Sequence, residues 1–425
     1  VLGQLAAEPQ YQGGGSSHVN PTRLDIPLEE LRARLGSEVA FAPGYDRTAP
    51  EADDRLREEA VEAARNAEVA VVFVGLYEED QSEGFDRTHI DLPDTHTRLI
   101  QAVAAVAPRT VVVLSNGGVV SLEPWHDSVD AIVEGWALGQ AVGHALAGVL
   151  TGDINPSGRL AETIPLRLED TPSYLSFPGE NKVVRYSESM FVGYRYYTTV
   201  GRAVRYPFGH GLSYTTFESA LEVETTGVDS AIARVTVTNT GAVAGAHVVQ
   251  LYVAPDSSPV RRPTRELAGF AKVRLEPGES TTIEIPLARR AFAFWDTPQS
   301  RWWVAPGGYT IQLGESAEQI VAEQTIDLDG DVDAPTVLSL ESTVGDWFGH
   351  PVVGPALMQA MMAGASEEQL AAAEANGNML RMVESMPMGQ FARFPGVEIP
   401  DEALDQLIAL SSDVTGAADV AAAQR

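Results

Sequence analysis

Two hydrophobic periods divide the chain. Up to residue 215, short apolar runs of strand length alternate with stretches whose apolar residues recur every three to four positions. The strand-like runs are Val69 to Gly75 (VAVVFVG), Thr110 to Ser115 (TVVVLS) and Ala131 to Val133. The helical stretches are Asp53 to Ala67, a segment with Leu99, Ile100, Val103 and Val106 on one face, and Gly139 to Leu150. Thr151-Gly152-Asp153 ends the last of these, and Asn155-Pro156-Ser157-Gly158 reads as a turn. This alternation predicts an α/β three-layer sandwich over 1–215.

Over 216–330 the pattern becomes short strands separated by turn chemistry. Ala233 to Thr238, His247 to Val253, Ala271 to Leu275, Thr281 to Leu287 and Tyr309 to Leu313 are the strands; Asn239-Thr240-Gly241, Pro277-Gly278 and Pro306-Gly307-Gly308 lie between them. That spacing predicts an all-β sandwich of the fibronectin III or immunoglobulin type. Helical spacing returns over 331–425, rich in Ala, Glu, Leu and Met, with seven of the eight methionines between Met358 and Met388. Methionine-rich helices suit an irregular core or an adaptable binding surface. From Ser411 to Arg425 the composition predicts a frayed or disordered end.

Length agrees with two or three domains, since 425 residues exceed one ordinary core. A net charge of −30 argues against nucleic acid, whose phosphates require clustered Lys and Arg, and against anionic membranes. A neutral substrate such as a sugar is compatible with it. No run approaches the ~18 apolar residues of a membrane helix. The absence of cysteine removes disulfides, thiolate metal sites and thiol nucleophiles, and it fits a reducing, cytoplasmic compartment. The chain opens at Val1-Leu2-Gly3-Gln4-Leu5 without a methionine, in what reads as the end of a buried strand. The expectation is a truncated first strand, so a missing targeting segment carries no weight.

The run with the most chemistry is Gln81-Ser82-Glu83-Gly84-Phe85-Asp86-Arg87, just past the first long apolar strand. It sets Glu83 on a glycine-hinged loop among Glu78, Glu79, Asp80 and Asp86. Mutual repulsion of crowded carboxylates favours raising the proton affinity of at least one of them. A carboxylic acid that stays protonated near neutral pH is what a glycosidase uses to protonate a leaving oxygen. An acidic loop is equally what a solvated surface of a very acidic protein looks like. The glycine-rich run Gly13 to Ser17 is not a dinucleotide fingerprint, because Val19 stands where the third glycine would fall. No His/Asp/Glu cluster has metal-ligand spacing, no cofactor is implied, and there is no G-x-S-x-G elbow or P-loop.

Four stretches and the sandwich that follows them make the chain resemble the second half of a family 3 glycoside hydrolase of the β-glucosidase type. They are Tyr11 to Pro21 (YQGGGSSHVNP); Ser82 to Arg87 followed by Asp91-Leu92-Pro93; Gly152 to Leu160 (GDINPSGRL); and Gly193 to Tyr197 leading into Tyr206 to Tyr214 (YPFGHGLSY). The likeness covers residues 1 to about 328. It implies a retaining exo-glycosidase whose aspartate nucleophile sits on an N-terminal (β/α)8 barrel absent from this chain, with Glu83 matching the general acid/base. Retention needs two carboxyl groups about 5–5.5 Å apart. The resemblance further implies that Ser16 contacts the sugar, with His18 and Trp136 as candidates for the rim of the cleft. Asp86 and Arg87 are expected as an ion pair that holds the loop. His210 is expected at the junction of α/β domain and sandwich rather than in catalysis. Val344-Gly345-Asp346-Trp347 echoes the family's nucleophile motif but lies in the wrong region.

The partners implied are a β-glycoside or oligosaccharide, the barrel in cis or as a separate chain, and a second copy as a further option. β-Xylosidase is the main alternative within the enzymes, and a non-catalytic carbohydrate-binding or scaffold protein the alternative outside them.

Overall fold

The computed structural model describes residues 1–36, 38–48, 54–297, 299–331, 337–362, 381–394, 397 and 399–422. It contains two compact units, Val1–Gly330 and Asp331–Arg425. The first opens with an α/β domain. After helix α1 (Pro27–Leu35) and helix α2 (Asp54–Arg65) comes strand β1 (Ala70–Gly75), then helix α3 (Asp94–Ala104), β2 (Thr110–Ser115), β3 (Ala131–Glu134) and helix α4 (Val142–Thr151). The strands pair in parallel in the order β1-β2-β3. Leu2 extends this array by parallel bridges to Val72 on one side and Ala42 on the other. Valine-rich runs serve here because β-branched side chains suit a sheet covered on both faces. Helix α1 packs on α4, and α2 on α3, forming the outer layers. Gly152 closes α4 in a left-handed conformation, φ 83°, as a glycine past a helix end commonly does.

A long irregular path through β4 (Ile164–Pro165), helix α5 (Tyr194–Val200) and β5 (Val204–Tyr206) leads to the sandwich. Its strands are β6 (Phe217–Gly227), β7 (Ser230–Asn239), β8 (Gly245–Pro255), β9 (Glu266–Leu275), β10 (Ser280–Leu287), β11 (Phe294–Asp296), β12 (Arg301–Trp303), β13 (Gly307–Gly314) and β14 (Ile320–Leu328). One sheet has the order β10-β7-β6 and the other β14-β13-β8-β9, while β11 and β12 form a hairpin. Val235, Val237, Leu251, Val253, Ile311 and Leu313 fill the space between the sheets, each on an alternate position of its strand. Asn239, fully buried at the predicted turn, donates to the Val243 and Leu275 carbonyls at 2.9 and 3.1 Å and accepts from the Thr215 hydroxyl at 2.7 Å.

The second unit is helical: α6 (Val344–Gly349), α7 (Val353–Met362), α8 (Met388–Phe391) and α9 (Asp401–Ala422). Trp347, Val344, Leu357, Met388 and Leu404 make its core. Met388 is buried, whereas Met358 and Met382 face solvent, so the methionines do not form one uniform core stripe. Asp346 spends its carboxylate on a capping box with Thr343, and Trp347 is buried beside it; the echo of a nucleophile motif is a helix start. The end expected to fray begins inside helix α9. Helix α9 continues to Ala422, and Ser411 itself is buried, accepting from Leu338 N–H at 2.9 Å and donating to the Ile408 carbonyl at 2.6 Å. Residues 423–425 lie outside the described residues.

Gly75 ends β1 opposite Ser115, so close that a Cβ would stand 1.9 Å from the Ser115 carbonyl oxygen. Gly75→Ala is therefore expected to cost about 2–4 kcal/mol and lower the thermal midpoint by several degrees. Unfolding followed by circular dichroism checks this; an unchanged midpoint would mean that the strand ends can move apart freely.

Candidate functional site

The loops that follow Leu2, β1, β2 and β3 all leave from the carboxyl edge of the parallel sheet, where open α/β folds place their ligands. Glu83 lies at the tip of the loop after β1 and is exposed. The glycine-rich loop after Leu2 reaches it: the Ser16 N–H donates to Glu83 Oε2 at 3.0 Å. Gly15 makes that approach possible. Its φ is +77°, and a Cβ there would sit 3.2 Å from both Glu83 Cβ and Oε2.

The hydroxyl of Ser16, and then its backbone N–H, hold the Glu83 carboxyl below its ordinary value. This reverses the expectation from carboxylate crowding. The loop is open to water, which screens its acidic neighbours, while Ser16 touches Glu83 directly.

The base of the loop is fixed by two residues. Gln81 donates through Nε2 to the Leu76 carbonyl at 3.1 Å and accepts the Gly117 N–H, tying the loop after β1 to the loop after β2. Arg87 donates to the Val119 carbonyl at 2.9 Å. Burial lowers its pKa, with Asp80 and Glu162 opposing. The expected Asp86–Arg87 ion pair does not form: Asp86 points into solvent, and Arg87 is turned inward to a backbone carbonyl. One buried Arg87 nitrogen, Nη1, has no hydrogen-bond partner.

His18 meets Glu78 rather than Glu83, with Nε2 3.0 Å from Oε1 and both side chains about half exposed. Such a surface pair contributes little. Trp136 follows β3 in a left-handed conformation, φ 51°, which a non-glycine residue adopts only when its surroundings hold it there. Its N–H donates to Glu134 Oε1 at 3.0 Å. The next turn is seated against the Ser16-bearing loop by the Gly139 N–H, which donates to the Tyr11 carbonyl at 2.9 Å.

Sequence reasoning missed Gln81 and Glu134. The only signal for Glu134 was a charged residue closing an apolar strand. It is half-buried, and burial pushes its carboxyl up to about 7 against the bonds from Trp136 and Asn116. The acid whose proton affinity is raised is thus Glu134, while that of Glu83 is lowered.

His210 lies at the junction, as its motif suggested. It stacks on Tyr206 with ring centroids 4.7 Å apart, and the neighbouring Gly209 carbonyl accepts from Gln250 of β8 at 3.0 Å. Arg159 reaches across the same junction to the Gly211 carbonyl and to Glu315, the latter at 3.4 Å. Among the described residues, no group of three or more His, Asp or Glu side chains is placed to hold a metal ion, and no helix is long and apolar enough to cross a membrane.

Residues 1–214 match the glycosyl hydrolase family 3 C-terminal domain. The chain belongs to glycosyl hydrolase family 3. Residues 247–317 match a fibronectin type III-like domain. Among its relatives, an exo-α-(1→6)-L-arabinopyranosidase of Bifidobacterium breve is 44% identical over 93% of this chain and 52% of its own length. Thermostable β-glucosidase B of Acetivibrio thermocellus is 42% identical over 96% of this chain and 55% of its own. The crystal structure of a Bifidobacterium adolescentis family 3 β-glucosidase superposes with a TM-score of 0.79 at 47% identity, covering 84% of this chain and 52% of that one. The chain thus spans about half the length of the relatives it matches.

Glu134 gives this family 3 chain a pH dependence with a definite sign. The folded chain keeps its proton up to about pH 7, whereas the unfolded chain releases it near the ordinary value of 4.5. Between these values the folded state binds more protons, so stability falls as pH rises through the window. Glu134→Gln is expected to remove that decline, making the variant gain about 2 kcal/mol on the natural chain between pH 4.5 and pH 8. Urea midpoints at the two pH values test it. A variant-to-natural difference independent of pH would place the Glu134 proton elsewhere.

Proposed function

We propose that this chain is the acid/base-bearing half of a retaining exo-β-glycosidase, most nearly a β-glucosidase, and that Glu83 serves an aspartate nucleophile on a (β/α)8 barrel outside the chain. The observation that carries this reading is the exposed Glu83 carboxylate, presented at the carboxyl edge of the sheet and gripped by the glycine-rich Ser16 loop.

A retaining acid/base works in both protonation states, first as the acid that protonates the leaving oxygen and then as the base that activates water. The open chain, in which Ser16 keeps Glu83 ionised, presents the base form. Covering the loop with a sugar and the barrel removes water from the carboxylate and raises its proton affinity, as the first step needs. Ser16 can turn its hydroxyl from Glu83 to a sugar hydroxyl within the same loop, and Trp136, on the turn that Gly139 ties to Tyr11, is the candidate for a flat apolar face against the sugar. Asp86 and His18 have no part in the chemistry in this reading; Arg87 holds the loop through the Val119 carbonyl.

Both a β-glucosidase and an arabinopyranosidase stand among the similar proteins, so the substrate is a glucoside or a pentopyranoside. A β-glucoside and an α-L-arabinopyranoside differ at the hydroxymethyl group and in configuration at C4, which hydrolysis of the p-nitrophenyl glucoside, xyloside and arabinopyranoside would resolve.

Denatured intact mass of the natural polypeptide is the first measurement: a value well above 45.5 kDa, with room for a barrel of ~250 residues, supports this reading. In that polypeptide, Glu83→Ala is expected to slow hydrolysis of poorly activated aglycones about 10²–10⁴-fold and of activated ones far less. Azide should restore part of the turnover of activated substrates. Equal loss for all leaving groups, without azide rescue, would remove Glu83 from the acid/base role.

A further inference from the structure

Between the turn at Thr171 and the start of α5, residues 173–192 form a strap without regular secondary structure apart from one bridge, Glu180 to Val183. A loop of this length inside a compact domain commonly carries a function. The strap is ordered by its own bonds. Phe177 N–H donates to the Ser173 carbonyl at 2.9 Å, Glu180 N–H to the Val183 carbonyl at 3.0 Å, and Phe191 N–H to the Glu188 carbonyl at 2.9 Å. Asn181, Lys182 and Ser189 all hold left-handed backbone conformations, a cost that an unconstrained loop would shed.

Its apolar side chains nonetheless face outward. Leu175 is 95% exposed and Tyr186 81%, with Phe177, Val183, Val184 and Tyr174 exposed around them. Large apolar residues scattered singly on a surface need no explanation, but six within thirteen positions of one ordered segment mark a face that another body covers.

The strap's position indicates which body. Its two feet, Thr171-Pro172 and Gly193-Tyr194, line a cavity of about 380 Å³ that Ile90 and Val119 also line. Val119 is the residue whose carbonyl anchors Arg87, and the Ile90 carbonyl accepts the Ser121 N–H at 2.6 Å. The feet of the strap therefore share a cavity with the residue that anchors Arg87, at the base of the loop that presents Glu83. A domain supplying the second carboxylate of a retaining pair must come within about 5–5.5 Å of Glu83, and the strap is the exposed apolar segment whose feet reach the base of the Glu83 loop. The similar proteins carry nearly as much polypeptide again outside the matched region.

We propose that the strap 173–192 is the docking surface for the nucleophile-bearing half of the enzyme, and that its exposed apolar face is buried when that half is in place. This rests on the function proposed above.

The experiment is hydrogen–deuterium exchange of the strap in the 425-residue chain and in the natural polypeptide that contains it, with β-glucoside hydrolysis measured separately. Exchange of 173–192 is expected to slow at least tenfold in the longer polypeptide. Leu175→Asp combined with Tyr186→Asp should abolish that protection and lower kcat/KM at least tenfold. Because both side chains are exposed, the thermal midpoint of the 425-residue chain should not move. An active polypeptide with an unprotected strap would overturn the docking proposal and leave the glycosidase reading standing. A protected strap in a polypeptide that hydrolyses no glycoside would do the reverse. Protection that grows with concentration in the 425-residue chain alone would assign the face to a second copy and overturn the proposal, as would a natural polypeptide without a further domain.

Discussion

The in-register parallel pairing of β1 with β2 is the constraint on which the candidate site depends. Ala70 faces Thr110 and Gly75 faces Ser115, so the two strands stop at the same level. Their following loops consequently leave side by side, close enough for Gln81 to accept the Gly117 N–H. A slip of one residue would stagger the two loops by about 3.3 Å and separate that pair. The same sheet carries Leu2 against Val72, which brings the glycine-rich loop over the tip where Glu83 stands. Position of the carboxylate is thus inherited from strand register, and only its last few ångströms are set by local contacts.

Electrostatics at this edge follow contact and burial more than charge count. A chain of net charge −30 would be expected to make its acids hard to ionise. Glu83 shows the opposite shift because Ser16 donates to it directly and water screens the rest. Glu134 is the acid that keeps its proton, because partial burial at the end of β3 outweighs the bonds it accepts from Trp136 and Asn116. Hydrogen bonding and desolvation act at ångström range, whereas the diffuse field of an acidic surface is damped within about a Debye length.

Much of this was legible in the residues. The valine runs gave β1 and β2 nearly to the residue, because an unbroken β-branched stretch flanked by helical spacing has few other solutions. The alternation in the sandwich gave β7, β8 and β10 for a similar reason. Strands β6 and β14 escaped because polar Ser219 and Gln324 take inward positions while apolar Ala220 and Val321 face outward, which blurs the alternation. Glu83 and Ser16 were legible through their motifs, and the bond between them was consistent with that reading. The Asp86–Arg87 pair failed because adjacency in sequence says nothing about which way two side chains turn. Arg87 went to a carbonyl thirty-two positions away, a choice made by tertiary packing. Glu134 was illegible because burial is not a property of the residue but of what folds over it.

The junction around Gly209 imposes an order on synthesis. Gly209 offers its carbonyl to Gln250, Phe208 accepts the Ala317 N–H at 2.8 Å, and Arg159 reaches Glu315. The short β4–β5 pair at the end of the α/β domain is therefore locked by residues made as many as 150 positions after it begins. As the chain emerges from the ribosome, β1 to β3 can pair before the sandwich exists, since every partner in that sheet precedes residue 135. The final edge of that domain must wait, half-formed, until β13 has emerged. The sandwich thus acts as the latch on a domain that precedes it, and a chain stopped short of residue 317 would keep its sheet but lose its closure.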